Sequence, residues 1–218
     1  VVIDPIELVN EIKMLEDSGI DVKSRLYISK KAHLILPSHK VLDKSSEQSK
    51  GDSKIGSTLK GIGPTYTDKV SRNGIRVGDI FNDIENKVFE LNGKHFDRLE
   101  KYSFPFYTEH RKENKIFLEA IETLKEYNII DSEYYINQAL SEGKSVLAEG
   151  AQGALLDVDF GTYPFVTSSN TTVGGVVTGL GVPATKINKV IGIFKAYTTR
   201  VGSGPFPTEL NDEVGELI

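Results

Sequence analysis

The sequence predicts an α/β protein in which a central, mainly parallel sheet is flanked by helices. Residues 145–148 (Ser-Val-Leu-Ala) and 189–198 are short apolar stretches without polar alternation, the pattern of parallel strands buried on both faces. Each opens into a loop rich in Gly, Pro and hydroxyl residues, as strands do where their carboxyl ends form binding loops. Several further segments carry apolar residues at helical spacing and supply the flanking layer.

Composition narrows the function classes. With 218 residues, 39% hydrophobic and 26% charged, the chain can bury a sizeable core as a soluble globular protein. The lack of Cys removes disulfides, thiolate zinc sites and cysteine nucleophiles together, which fits a reducing compartment, so a cytoplasmic location is expected. No apolar stretch approaches the length of a bilayer span, and the amino end has no signal-peptide pattern, so neither a membrane nor a secreted protein is expected. Lys and Arg number 26 against 31 Asp and Glu, which argues against a nucleic-acid-coating surface and leaves any anionic ligand to be held locally. The chain begins on Val-Val-Ile without Met and stops at Leu217-Ile218, so a piece of a longer protein is expected.

In chain order, Asp4 can cap a first helix, Pro5 suits its first position, Glu7 completes a capping-box spacing, and Gly19 can end it. Leu8, Val9, Ile12 and Leu15 form its apolar face. Residues 25–29 alternate as a strand does, and residues 34–37 lead into a helix after Pro37. Residues 43–57 are polar enough to predict a mobile surface segment. Residues 82–99, 113–127 and 132–140 have helical character, with an interruption around 103–106. Ile116, Ala120, Leu124 and Tyr127 mark a buried stripe in the second of them, and Phe89, Phe96, Tyr134 and Tyr135 are expected in the core. Residues 173–182 have the small side chains of a closely packed helix start. His33 and His39 have no metal-ligand companion at useful spacing, and His95 and His110 stand alone, so no histidine is assigned a role.

Two stretches carry chemistry. In residues 149–172, Gly150 and Gly153 let the backbone leave a strand and deliver Gln152 to a loop, and the run 167–172 has five hydroxyls in six residues with no charge. Such a run offers neutral donors to ligand oxygens, and equally makes ordinary turns by bonding its own backbone. In residues 55–74, Gly56, Gly61 and Gly63 precede a helix whose first residue is expected at Pro64. Thr58 offers a hydroxyl there, and Lys69 and Arg72, three apart, would share a helix face, a plausible phosphate grip. An exposed Asp68–Arg72 ion pair is the plainer alternative. If the two buried strands are neighbours, Gln152, Thr167 and the backbone at Val201 and Gly202 line one crevice, with Thr58, Lys69 and Arg72 at its phosphate end.

The motif at 61–72 (Gly-Ile-Gly-Pro-Thr-Tyr-Thr-Asp-Lys-Val-Ser-Arg) resembles the lysine-bearing signature of adenylosuccinate synthetases. Residues 149–153, 161–175 and 195–210 resemble three further blocks of that family, in family order, so the resemblance extends over essentially the whole chain. It implies a P-loop-NTPase-like α/β fold, incomplete in this length, with residues 1–218 as the central part of a single domain that includes a mainly helical region about 64–142. It further implies a GTP- and Mg²⁺-dependent ligase of purine biosynthesis that joins IMP to L-aspartate through 6-phosphoryl-IMP to give adenylosuccinate, acting as a cytoplasmic homodimer. Residue by residue, Thr58 and Thr167 match phosphate contacts to IMP, and Gln152 matches the amide beside the base. Val201 matches a backbone contact near the ribose, Lys69 is the signature lysine with a weakly assigned catalytic role, and Arg72 matches the arginine that reaches the other subunit's IMP.

Leu59-Lys60 stands where many members carry Gly-Arg. The family's amino-terminal phosphate loop, with its catalytic aspartate and magnesium contacts, finds no match, nor do its active-site histidine, arginine-rich aspartate loop and guanine reader. The main ligands of GTP and Mg²⁺ are therefore expected outside this segment, and the 218-residue chain alone is expected to be inactive. A non-catalytic nucleotide- or phosphate-binding module, or a dimerisation domain, would carry the same surface without the chemistry.

Overall fold

Asp4 accepts hydrogen bonds from the Ile6 and Glu7 backbone N–H groups at 3.1 and 3.4 Å, so helix α1 (Pro5–Asp17) starts at the expected cap. The chain is described here by a computed structural model over residues 1–102 and 109–217, including the side chains of all of these but 109–111. The expected interruption around 103–106 and the His110 side chain lie outside the described residues.

The fold is α/β, with parallel strand pairs flanked by helices. Strand β1 (Val2–Ile3) precedes α1, β2 (Tyr27–Ser29) and β3 (His33–Leu34) follow it, and α2 (Pro37–Ser49) starts at Pro37. Next come α3 (Ile62–Ser71), α4 (Ile84–Glu100), α5 (Glu109–Leu124), β4 (Asn128–Ile130), α6 (Ser132–Ser141), α7 (Gly174–Leu180) and α8 (Glu213–Leu217). Strand β1 pairs in parallel with β3, Val2 opposite His33, and β2 pairs in parallel with β4, Ile28 opposite Ile129.

The core lies between these strands and α1, α4 and α5. Leu34, Leu36, Val77, Phe117 and Ile121 are fully buried in it, each contributing about 1.5–3 kcal/mol by the usual area scaling. Ile12 is the buried member of the α1 face, with Leu8 and Val9 packed against the core, whereas Leu15 is exposed. In α5 and just after it, Ala120 and Leu124 of the expected stripe are buried and Tyr127 packs against the core, with Phe117 and Ile121 buried beside them, whereas Ile116 is exposed.

Four further expectations are corrected. Residues 43–49 belong to α2, and Asp43 and Ser45 are buried, so the polar composition marks a helix face with partners. Phe89 and Tyr134 are exposed, and Tyr135 is half exposed with its ring stacked on Tyr27 at 5.1 Å. Helix α3 begins at Ile62, two residues before Pro64. Residues 145–148 and 189–198 form no strand; Leu147 is 85% exposed and Phe194 96%. A parallel strand exists only by pairing with neighbours, and among the described residues nothing pairs with either stretch.

Candidate functional site

Two carboxylates of α2 build the first loop. Asp43 Oδ2 accepts the Gly61 N–H at 2.9 Å and the Ser57 hydroxyl at 2.9 Å, and Glu47 Oε2 accepts the Gly56 and Ser57 N–H groups at 2.8 and 3.1 Å. Burial works against the Glu47 carboxylate, but Lys50 and these N–H donors hold its pKa below the ordinary value. Thr58 is thereby presented, exposed, at the turn before α3.

A single carboxylate builds the second. Asp157 is fully buried, and its oxygens accept four backbone N–H groups: Asp159 at 3.0 Å, Phe160 at 3.1 Å, Thr171 at 2.7 Å and Thr172 at 3.3 Å. Burial pushes its pKa up, and the four donors outweigh that and bring it below the usual range. The Thr171 hydroxyl donates to the Gly153 carbonyl at 2.9 Å, tying the Gln152 turn to the hydroxyl run, and the Thr167 N–H donates to the Leu156 carbonyl at 2.8 Å. The hydroxyl run is thus tied to residues 153–157, while Gln152 stays exposed with a left-handed φ of 61°.

Arg200 ties in the third loop. Its guanidinium donates to the Phe165 carbonyl at 3.0 Å, to the Ser203 carbonyl at 3.0 Å and to the Thr162 hydroxyl at 3.3 Å. The Ser203 N–H donates to the Ile55 carbonyl at 3.1 Å, so the loop beside Val201 meets the loop of Thr58. On the other side, a Cβ added to Gly63 in the first turn of α3 would lie 3.5 Å from Ser168 Oγ. Loops carrying Thr58, Gln152, Thr167 and Val201 are in this way linked into one cluster at the amino end of α3. Asp43, Glu47, Asp157 and Arg200 do the linking, and sequence reasoning passed over them. An Asp between apolar residues ahead of a Ser/Thr-rich turn, as Asp157 stands, was the available signal.

Lys69 and Arg72 are placed differently from expectation. Arg72 is the residue after α3 and adopts φ 65°, so the two do not share a helix face; its guanidinium is exposed, with no ion-pair partner among the described residues. Lys69 Nζ lies 5.1 Å from the Tyr66 ring centroid, a cation–π contact at the surface. Asp68 is buried and does not pair with Arg72. Its Oδ2 meets His39 Nε2 at 3.0 Å and His95 Nε2 at 2.7 Å, and its Oδ1 meets Arg98 at 3.4 Å. His39 and His95, which appear unrelated in the sequence, share one buried cluster with rings 4.6 Å apart.

Those three side chains have the donor atoms for a cation, all within 4.8 Å of one another. The hydrogen bonding fills the cluster instead. His39 Nδ1 accepts the Leu36 N–H at 2.9 Å, which leaves the proton of the neutral ring on Nε2, pointed at Asp68. Burial holds His39 down to about 4 against the pull of Asp68, so the ring is neutral near pH 7. Burial also opposes the Asp68 charge, but the two imidazole donors hold its pKa well below the carboxylate range. A set of two nitrogens and one carboxylate is in any case a poor match for Mg²⁺, which prefers oxygen ligands.

Residues 1–218 match the family described as adenylosuccinate synthetase. The chain belongs to the adenylosuccinate synthetase family. It is 59% identical over 219 residues to the adenylosuccinate synthetase of Christiangramia forsetii, covering 100% of this chain and 52% of that one. Against that of Flavobacterium johnsoniae the identity is 60%, with the same coverage. The structure of fully ligated adenylosuccinate synthetase from Plasmodium falciparum superposes with a TM-score of 0.88 at 42% identity, covering 99% of this chain and 50% of that one. The chain thus spans about half the length of the adenylosuccinate synthetases it matches. At Leu59 the backbone is left-handed with φ 58°, a conformation that favours Gly. No helix among the described residues is long and apolar enough to cross a membrane.

Proposed function

We propose that this chain supplies the IMP-binding half of a cytoplasmic adenylosuccinate synthetase, a GTP-dependent ligase that forms a carbon–nitrogen bond. Residues 1–218 are then the central part of a single domain. The supporting observation is the hydrogen-bonded convergence of the loops bearing Thr58, Gln152, Thr167 and Val201 at the amino end of α3. Thr58 and Thr167 donate hydroxyls to the IMP phosphate, for which the backbone N–H groups at a helix start add favourable partial charge. Gln152 reads the base through its amide, and the Val201 backbone lies along the ribose. Arg72, exposed and without an ion-pair partner among the described residues, reaches the IMP of a second subunit, which makes the active species a homodimer.

In the reaction, the γ-phosphoryl of GTP passes to the IMP carbonyl oxygen. The aspartate amine then forms a bond to that ring carbon as phosphate departs with the C–O bond electrons. An oxo group leaves a purine poorly and a phosphate leaves well, so catalysis rests on positioning and charge neutralisation. Mg²⁺ neutralises phosphate charge when bound; its ligands and those of GTP lie in the remainder of the enzyme. Lys69 is a secondary contributor of positive charge near the phosphate end.

The test is adenylosuccinate formation from IMP, aspartate, GTP and Mg²⁺ by the full-length protein. Turnover is expected from it and not from the purified 218-residue chain. IMP binding by the full-length protein without turnover would instead establish a non-catalytic nucleotide-binding module.

A further inference from the structure

We propose that Asp68 is a positioning residue that sets Arg72 in place, by fastening the end of α3 to α2 and α4 through His39 and His95; the proposal rests on the reading of Arg72 as an IMP contact. One residue grips in two ways. Its carboxylate, only 5% exposed, takes an N–H from a histidine of each flanking helix. Its carbonyl accepts the Asn73 and Gly74 N–H groups at 2.9 and 3.0 Å, the bonds that close the turn containing Arg72.

That turn needs holding. Arg72 sits at φ 65°, a left-handed conformation that a residue with a Cβ rarely adopts and that persists only where the surroundings dictate it. The next turn packs tightly as well, since a Cβ on Gly74 would lie 2.8 Å from His33 Cδ2. Each imidazole is itself oriented from behind: His39 by the Leu36 N–H, and His95 by the buried Ser38 hydroxyl, 2.7 Å from Nδ1. Ser38 and His39 both stand in the first turn of α2, the helix whose Asp43 and Glu47 hold the Thr58 loop. The same helix therefore registers two parts of the surface, the Thr58 hydroxyl and the Arg72 guanidinium, against each other. No catalytic chemistry is asked of the histidines, which do not touch substrate in this account.

The experiment is a double-mutant cycle in the full-length enzyme, reading KM for IMP, kcat and melting temperature for Asp68→Asn, Arg72→Ala and the two combined. Ser38→Ala, which keeps the carboxylate and removes only the support of His95, serves as the milder variant should Asp68→Asn not fold. Asp68→Asn is expected to raise KM for IMP about tenfold, the scale of a misplaced charge-assisted contact, with a smaller change in kcat. In the Arg72→Ala background, Asp68→Asn and Ser38→Ala should add nothing further. Full additivity with Arg72→Ala, with melting temperature falling in parallel, would overturn the positioning role while leaving the reading of Arg72 intact. If Arg72→Ala itself leaves KM for IMP unchanged, both the reading of Arg72 and the proposal built on it fail.

Discussion

The backbones of Gly56 and Gly202 touch: a Cβ added to Gly56 would lie 2.8 Å from Gly202 Cα and 2.5 Å from Ser203 N. Both glycines have left-handed φ values, 81° and 90°. No L side chain fits either the space or the conformation, so this approach fixes the Thr58 loop against the Val201 loop. Gly56→Ala in the full-length protein is expected to cost on the order of 1–3 kcal/mol and to weaken IMP binding. Gly93 is the control: it lies within α4, and a Cβ added there would meet no neighbouring group within 4 Å, so Gly93→Ala is expected to stabilise by about 0.5–1 kcal/mol. Thermal melting and IMP calorimetry on the two variants check the contrast.

Asp157 is the keystone of the second loop. Asp157→Ala leaves four backbone N–H groups without their acceptor, and Asp157→Asn turns an amide N–H toward donors that need an oxygen. Both variants are expected to weaken IMP binding, Ala more than Asn, and to expose residues 153–172 to limited proteolysis. Unchanged cleavage and affinity in Asp157→Ala would remove this residue from the account.

Acid should loosen the helical layer before the ordinary carboxylate range is reached. Burial, with Arg76 and Lys69 nearby, holds His33 at about 4, and burial holds His39 at about 4. The unfolded chain takes up these protons near 6.5, so stability is full above that pH and declines as the pH is lowered toward 4. Asp68, depressed in pKa, adds a loss in the same direction at lower pH. Urea unfolding at a series of pH values should show this slope, and His33→Gln should flatten part of it.

Leu59 occupies a left-handed position that suits Gly, and nearly half of its surface is exposed. Leu59→Gly relieves the strain, and this is offset by the buried part of the side chain that is lost and by the greater freedom of the unfolded chain. A stability within about 1 kcal/mol of the unmodified protein is expected in denaturant titration, with IMP affinity retained.

Local signals read well from sequence, and partnerships did not. Asp4 and Pro5 start α1 through contacts within four residues, and the Pro37 helix start is equally local. Residues 145–148 and 189–198 have strand composition, but a strand is a relation to neighbours, and none pairs with them among the described residues. The polarity of Asp43 and Glu47 reads as a mobile surface until their acceptor roles toward Gly56, Ser57 and Gly61 are visible. His39 and His95 look unremarkable for the same reason, since only the packing of α2, α3 and α4 brings both to Asp68. Three of the four non-glycine residues with left-handed φ among the described residues are Leu59, Arg72 and Gln152, at or beside the proposed IMP contacts. Backbone strain of this kind concentrates at functional sites, and no composition or periodicity reveals it.

The central claim is that loops distant in the chain make one IMP site, and calorimetric titration of IMP into the full-length protein tests it most directly. Thr58→Ala, Gln152→Ala and Thr167→Ala are each predicted to weaken IMP about tenfold or more, the worth of one hydrogen bond to a charged or buried group, with GTP affinity unchanged. IMP affinity equal to that of the unmodified protein in all three variants would contradict it.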